Sequence, residues 1–297
     1  KNPDVISAGK MTLPVLFGVA AYQLNMFFNT TMIARFDGMV TLLNYVQNIV
    51  IYMVLAFIYS VTAVVYPKLT ASFTRGDMAD YKTTLAGVLE STAALLVPIT
   101  FGFITVRRPL LELIANYGKI TSTDIDRACM LIVMYSIGIL GVGLKEILDR
   151  AFYAAKNTML PAVNGFIIMA VNVTLSLVLT RFIGAYGIPL AYSTASLVGL
   201  CVLLALLRRK IGVFAKGLGM TLVKCLVSAL VMAGAVLAVN AGLDAVLVSD
   251  SVLTRLIKLA VPACVGVLVY GVMVLVLRVN AVKPVLAKIK TLVKRGA

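Results

Sequence analysis

Long apolar runs separated by short polar stretches dominate the pattern of this chain. Eight runs approach or exceed the roughly 20 apolar residues that a helix needs to cross a bilayer. They predict transmembrane helices over 11–34, 39–66, 83–106, 129–154, 158–183, 187–207, 220–242 and 256–278. The alternating segments typical of an outer-membrane barrel do not occur in the sequence. The pattern therefore predicts an all-α polytopic membrane protein with about eight transmembrane helices.

Uncharged polar side chains recur at helical spacing inside three of these runs. They are Tyr22, Asn25 and Asn29 in the first, Asn44, Gln47 and Asn48 in the second, and Asn172 and Ser176 in the fifth. Lipid cannot satisfy an amide, so these groups must meet each other or water. One alternative is interhelical hydrogen bonding that holds a bundle together, and the other is a shared hydrophilic cavity. Their recurrence on several helices favours the cavity, with these residues, apart from Ser176, as its wall.

Charge within the runs is confined to a few positions. Glu90 lies about eight residues into the third run, where it is either a protonated or cation-bound carboxylate or a residue that reaches the cytoplasmic interface. The fourth run ends in Lys145, Glu146, Asp149 and Arg150, which form two i, i+4 pairs of opposite sign. This quartet is either a neutralised gate or an interfacial helix end.

Composition and charge agree with a membrane protein. The 297 residues are 61% hydrophobic and only 13% charged, against about 25% charged residues in soluble domains. Most of the 27 lysines and arginines flank one side of the predicted spans, which is therefore the cytoplasmic side. Because the number of spans is even, both termini are expected there. The net charge of +15 suits this rule and anionic membrane lipids rather than nucleic acid, since no basic folded region lies outside the spans.

The sequence contains little that points to enzymatic or metal chemistry. Its four cysteines, Cys129, Cys201, Cys225 and Cys264, fall within predicted spans and match no metal or redox spacing. With no histidine in the chain, a zinc or haem site is not expected. A P-loop and a nucleophile elbow are both missing from the sequence, so we predict neither enzymatic activity nor ATP-driven transport by this chain.

The ends of the chain carry their own predictions. The chain begins KNPDVISAGK, which predicts a cytoplasmic loop over 1–10 without a signal peptide, in a fragment whose N-terminal part is missing. The last residues, 281–297, predict a basic cytoplasmic tail at the membrane surface.

One stretch resembles a known family. The sequence LKEILDRAFYAAKNTMLPAVNG at 144–165 resembles the junction of the tenth and eleventh helices of the MurJ/MviN lipid II flippases, with their R-A-F-Y-A and T-x-x-P signature. In the same order, QLNMFFN at 23–29 resembles the start of their seventh helix, the run at 42–70 their eighth, and GIPLAYSTAS at 187–196 the opening of their twelfth. The likeness extends over roughly 11–210.

The resemblance implies an architecture and an activity. Residues 11–210 would form a six-helix lobe of the MOP exporter superfamily, and 211–280 two additional helices with a groove for a polyprenyl tail. The implied function is translocation of lipid II, the lipid-linked peptidoglycan precursor, across the bacterial inner membrane by alternating access. The full-length protein would be monomeric, and a first lobe would lie outside this chain. The alternatives are a flippase for another polyprenyl-linked oligosaccharide, a MATE-type drug or cation antiporter, and a non-transporting membrane scaffold.

The resemblance also implies a cation site. Some members of the family hold sodium at positions that correspond here to Asn29, Asn172, Ser176, Ile188 and Tyr192. Both acidic positions of that set are neutral in this chain, as Asn29 and Ser176, so any sodium would bind more weakly. No other cofactor is expected. At Asn48 the family often has a cavity-facing arginine, so a bidentate phosphate clamp is missing from this lobe.

Overall fold

The computed structural model describes residues 3–115, 121–212, 217–247 and 251–279. Within these ranges nearly every residue is helical and no strand occurs. The helices are α1 (Pro3–Ile33), α2 (Met39–Gln47), α3 (Met53–Thr74), α4 (Met78–Ala115), α5 (Ser122–Ser136), α6 (Ile139–Ala154), α7 (Met159–Ile183), α8 (Gly187–Ile211), α9 (Leu218–Val246) and α10 (Val252–Val276).

Each predicted span coincides with helix, and the prediction of an all-α polytopic membrane protein is confirmed. Five continuous segments of the described chain are long and apolar enough to cross a membrane, or six if the bent pair α5–α6 is one span. One of these segments, Met159–Ile211, contains both α7 and α8. Helix α1 is not among the segments found in the described part of the chain.

The predicted loop over 1–10 is wrong for its described part. Helix α1 already begins at Pro3, so residues 3–10 belong to the same helix as the first predicted span. Proline is compatible with the first helical turn, because the N–H that it lacks would have no partner there.

Two of the spans are interrupted helices. A π-helix over Asn48–Tyr52 joins α2 to α3. Helices α5 and α6 meet at an angle of 42°, next to Gly138, where a Cβ atom would lie only 2.7 Å from the Cα of Ser193 in α8. Only glycine fits at this distance. The glycine at the break in the fourth span therefore lets α8 approach this span closely. π-Helical turns inside α-helices often occur at functional sites.

Helices α7 and α8 form an antiparallel hairpin. The turn passes through Gly184, whose φ of 59° lies in the region that favours glycine. Gly187 at the start of α8 lies against Leu179, and Gly199 lies against Ile168 further back along α7. The hairpin therefore brings the buried polar side chains of α7 next to α8.

The contacts divide the chain into two compact units. Unit 1 comprises 1–85 and 126–214, and unit 2 comprises 86–125 and 215–297. Helix α4 contributes its first turns to unit 1 and the rest of its length to unit 2. The predicted boundaries at 11–210 and 211–280 stay a prediction, and the predicted tail over 281–297 lies outside the described residues.

Candidate functional site

Three asparagines form a buried cluster between α1 and α7. The Asn172 amide nitrogen Nδ2 donates to Oδ1 of Asn25 at 2.6 Å and to Oδ1 of Asn29 at 2.8 Å. All three side chains are buried, with at most 3% of their surface exposed. The helices can approach because Gly18 faces Ala162 where they cross, with 3.4 Å between a Gly18 Cβ position and the Ala162 Cα. The cluster is therefore an interhelical hydrogen-bonded contact.

This geometry differs from the predicted cavity wall. The prediction placed Asn25, Asn29 and Asn172 on a wetted surface, whereas here the three amides satisfy one another inside the protein. These hydrogen bonds are of the kind that the first alternative describes, and the assignment of the three residues to a cavity wall stays a prediction. The physical reason is that a buried amide needs partners, and two other amides at the same depth of a neighbouring helix provide them.

The other predicted cavity residues separate into two groups. Gln47 is buried, and its Nε2 lies 3.1 Å from the Met26 sulfur. Tyr22, Asn44 and Asn48 are exposed. The assignment of these three to a cavity wall stays a prediction, and their exposure is compatible with it.

The cation site implied by the resemblance stays a prediction, and the structure shows how its residues are placed. Asn29, Asn172, Ser176, Ile188 and Tyr192 are all buried. The amide nitrogen of Asn172 faces the Asn25 and Asn29 oxygens, so a hydrogen-bond donor stands where a sodium ion would need an open, oxygen-lined space. Within the described residues, Asn172 Oδ1 and Ser176 Oγ are buried without a hydrogen-bond partner. Because every side-chain oxygen of this set is neutral, any sodium would bind weakly.

The charged quartet on α6 forms both ion pairs that its spacing predicts. Lys145 Nζ lies 2.5 Å from Asp149 Oδ2, and Arg150 Nη2 lies 2.9 Å from Glu146 Oε1. The first pair is the more enclosed, since 8% of the Asp149 side chain and 24% of the Lys145 side chain are exposed. The Arg150 guanidinium carbon also lies 5.8 Å from the centre of the Tyr153 ring. The quartet is neutral overall, and its outer pair can reach a ligand.

Tyrosines beside this quartet were missed by the sequence reasoning. Tyr22, Tyr52 and Tyr59 are 37%, 44% and 48% exposed, and the hydroxyls of Tyr22 and Tyr59 interact electrostatically with Glu146. We call Tyr22, Tyr52, Tyr59, Glu146 and Arg150 the tyrosine–ion face of unit 1. A signal was present, because Tyr45, Tyr52, Tyr59 and Tyr66 follow one another at seven-residue intervals.

Comparison with known proteins decides the family. The family described as "Lipid II flippase MurJ" matches residues 1–258. The chain belongs to the MurJ lipid II flippase family. It is 26% identical over 205 residues to a Vibrio cholerae protein described as "Probable lipid II flippase MurJ", and 26% identical over 240 residues to the Burkholderia cenocepacia "Lipid II flippase MurJ". These alignments cover 68% and 79% of this chain.

Membership of the MurJ family agrees with the fold. The solved structure named "Lipid II flippase MurJ, inward closed conformation" superposes with a TM-score of 0.72 over 88% of this chain, at 22% identity. The chain spans 39% and 46% of the lengths of the two relatives and 52% of that structure. The predicted resemblance to MurJ is therefore confirmed, and the chain corresponds to about half of a MurJ protein.

Proposed function

We propose that this chain is the C-terminal portion of a lipid II flippase in the bacterial inner membrane. The saccharide, peptide and pyrophosphate head of lipid II cannot enter hydrocarbon without losing its hydrogen bonds to water. The polyprenyl tail has no such restriction and stays in lipid throughout. A protein that flips this molecule must therefore offer the head a polar path, and needs only an apolar surface for the tail.

The tyrosine–ion face is the observation that best supports this function. It exposes aromatic rings, hydroxyl groups and an ion pair within one unit of the chain. Tyrosine rings stack on the C–H faces of sugars while their hydroxyls bond to sugar hydroxyls, which suits a glycan head. The Arg150 guanidinium can donate two parallel hydrogen bonds to a phosphate. In the structure it bonds to Glu146, which would keep it neutralised until a pyrophosphate takes its place.

Transport then requires this face to open to each side of the membrane in turn. We propose that it lines one half of a central cavity, that a lobe outside this chain lines the other half, and that the lobes rock about the substrate. The inner pair, Lys145–Asp149, would stay intact at the base of this wall. The quartet would act as a gate through its outer pair, Glu146–Arg150. We propose further that the full-length protein is a monomer and that both ends of this chain face the cytoplasm. None of these steps requires a sodium ion.

Rescue of a bacterium depleted of its own lipid II flippase tests this function. The intact gene that encodes this chain should restore growth and the exposure of lipid II at the outer leaflet. Changing both Tyr52→Leu and Tyr59→Leu should abolish rescue at unchanged protein level, and so should Arg150→Gln. The matched control is Phe57→Leu, which removes an exposed aromatic ring from the same helix but lies about 200° around the helix from Tyr59.

The result can contradict the proposal in two ways. If the wild-type gene gives no rescue although the protein reaches the membrane, lipid II is not the substrate. If the double tyrosine variant rescues as well as Phe57→Leu does, lipid II does not use this face.

A further inference from the structure

Helix α4 contains three backbone carbonyls that bond to side chains of other helices, and two of them cannot pair within α4. Pro98 and Pro109 lie inside the helix and lack the N–H that would bond to the residue four positions earlier. The carbonyls of Ala94 and Thr105 therefore lose their helical partners. The third carbonyl, that of Glu112, lies three residues before the last described residue of the helix. In a membrane a carbonyl without a helical partner must find another donor.

Each of these carbonyls accepts a hydrogen bond from a side chain of the C-terminal helices. The Tyr270 hydroxyl of α10 donates to Ala94 O at 2.6 Å. The Asn240 amide Nδ2 of α9 donates to Thr105 O at 3.1 Å. The Arg255 guanidinium of α10 donates to Glu112 O at 3.3 Å. All of these groups belong to unit 2.

The three carbonyls also lie on one side of α4. Separations of 11 and 7 residues return to within about 20° of the same direction on an α-helix. Glu90, one turn before Ala94, points the same way and lies against Gly217 at the start of α9. The order of contacts is regular as well: α10 meets α4 in antiparallel order, at 255 with 112 and at 270 with 94. Such a regular pattern fixes α9 and α10 in one register along α4.

We propose that Tyr270 and Asn240 are positioning residues that set this register by replacing the two helical hydrogen bonds that Pro98 and Pro109 remove. Each donor is matched to one proline. If α4 moved by a single turn along α9 and α10, both donors would face carbonyls that already have helical partners, and two carbonyls would be left unpaired. The prolines and their donors therefore act as two specific latches between α4 and the C-terminal pair. This inference does not depend on the transported substrate.

Double-mutant cycles on the intact protein in detergent test the pairing. Tyr270→Phe removes only the hydroxyl and should lower the melting temperature by about 2–4 °C. In a Pro98→Ala background the new N–H of residue 98 can bond to Ala94 O, so Tyr270→Phe should lower the melting temperature by less, since only its bond to the Cys225 side chain is then lost. Asn240→Leu should behave in the same way with Pro109→Ala. Crossed pairs are the matched controls: Tyr270→Phe with Pro109→Ala, and Asn240→Leu with Pro98→Ala, should be additive.

The outcomes separate a specific latch from general packing. If matched and crossed pairs show the same additivity, the donors do not replace the proline-deleted bonds and the proposal is wrong. A second readout is rescue in the depleted bacterium, where Tyr270→Phe should reduce growth and Pro98→Ala should restore it. If the wild-type gene itself fails to rescue, the function proposed above fails, while the melting cycles still decide the latches.

Discussion

At the scale of single residues, the buried asparagines matter most for the account. One amide on α7 satisfies the oxygens of two amides on α1, and the partners are 143 and 147 residues apart in the chain. A buried amide that loses its partner has no water to replace it. The contribution of the cluster should therefore appear when its central member is removed.

Asn172→Leu should lower the free energy of unfolding by about 1–3 kcal/mol, because it removes two hydrogen bonds and leaves two buried oxygens unpaired. Denaturant unfolding in detergent measures this loss. Asn44→Leu is the control, since Asn44 is exposed on α2 and its replacement should leave stability nearly unchanged. Equal stability of the two variants would mean that the asparagine cluster does not hold α1 to α7.

The same cluster predicts the response to sodium. Because an amide nitrogen faces the Asn25 and Asn29 oxygens, replacing NaCl by KCl at equal ionic strength should not change the melting temperature. Introducing both Asn29→Asp and Ser176→Asp supplies two carboxylates, which are the ligands that a hard cation prefers. That variant should melt higher in sodium than in potassium. Sodium-specific stabilisation of the unmodified protein would contradict this account of the site.

At the scale of the element, the two ion pairs on α6 should differ in strength. Asp149→Asn leaves Lys145 charged in an enclosed site, and breaking such a pair costs about 3 kcal/mol. Glu146→Gln breaks the more exposed pair and should cost about 1 kcal/mol or less. Unfolding measurements on both variants check this order. The control is the double exchange Lys145→Asp with Asp149→Lys, which restores a pair. Equal losses would indicate that both pairs are equally solvated.

The sequence predicted these ion pairs because they are local, with partners one helical turn apart. It did not predict the π-helix at Asn48–Tyr52 or the bend at Gly138, since both depend on how neighbouring helices pack. The tyrosine–ion face was missed for a related reason. Tyrosine counts as apolar in a hydropathy pattern, and only the tertiary structure brings Tyr22 and Tyr59 within electrostatic range of Glu146.

At the scale of the whole molecule, the positions of the long apolar helices could be predicted because hydrocarbon thickness fixes helix length. The resemblance carried by 144–165 pointed to the right family. How the helices associate could not be predicted, because lipid-facing and protein-facing apolar residues look alike in a sequence. The contacts of α4 with α9 and α10 are an example, since they depend on Tyr270 and Asn240 meeting the carbonyls that two prolines leave free.

The distribution of positive charge predicts the orientation of the chain. Arg75 lies between α3 and α4. In a variant with all four cysteines replaced, a cysteine introduced by Arg75→Cys should react with an impermeant maleimide only after the cells are permeabilised. Asp37→Cys lies between α1 and α2 and should react in intact cells. This follows because lysines and arginines are retained on the cytoplasmic side. The reverse labelling pattern would overturn the proposed topology.

The most direct test of the central claim uses the purified intact protein in vesicles that contain fluorescent lipid II. Under an imposed membrane potential of either sign, we measure the fraction of lipid II that an impermeant quencher can reach over time. We expect this fraction to rise faster than in protein-free vesicles, and we expect Arg150→Gln with Tyr52→Leu and Tyr59→Leu to remove the increase. Quenching that stays at the level of protein-free vesicles, with folded protein present, would contradict the claim that this family member flips lipid II.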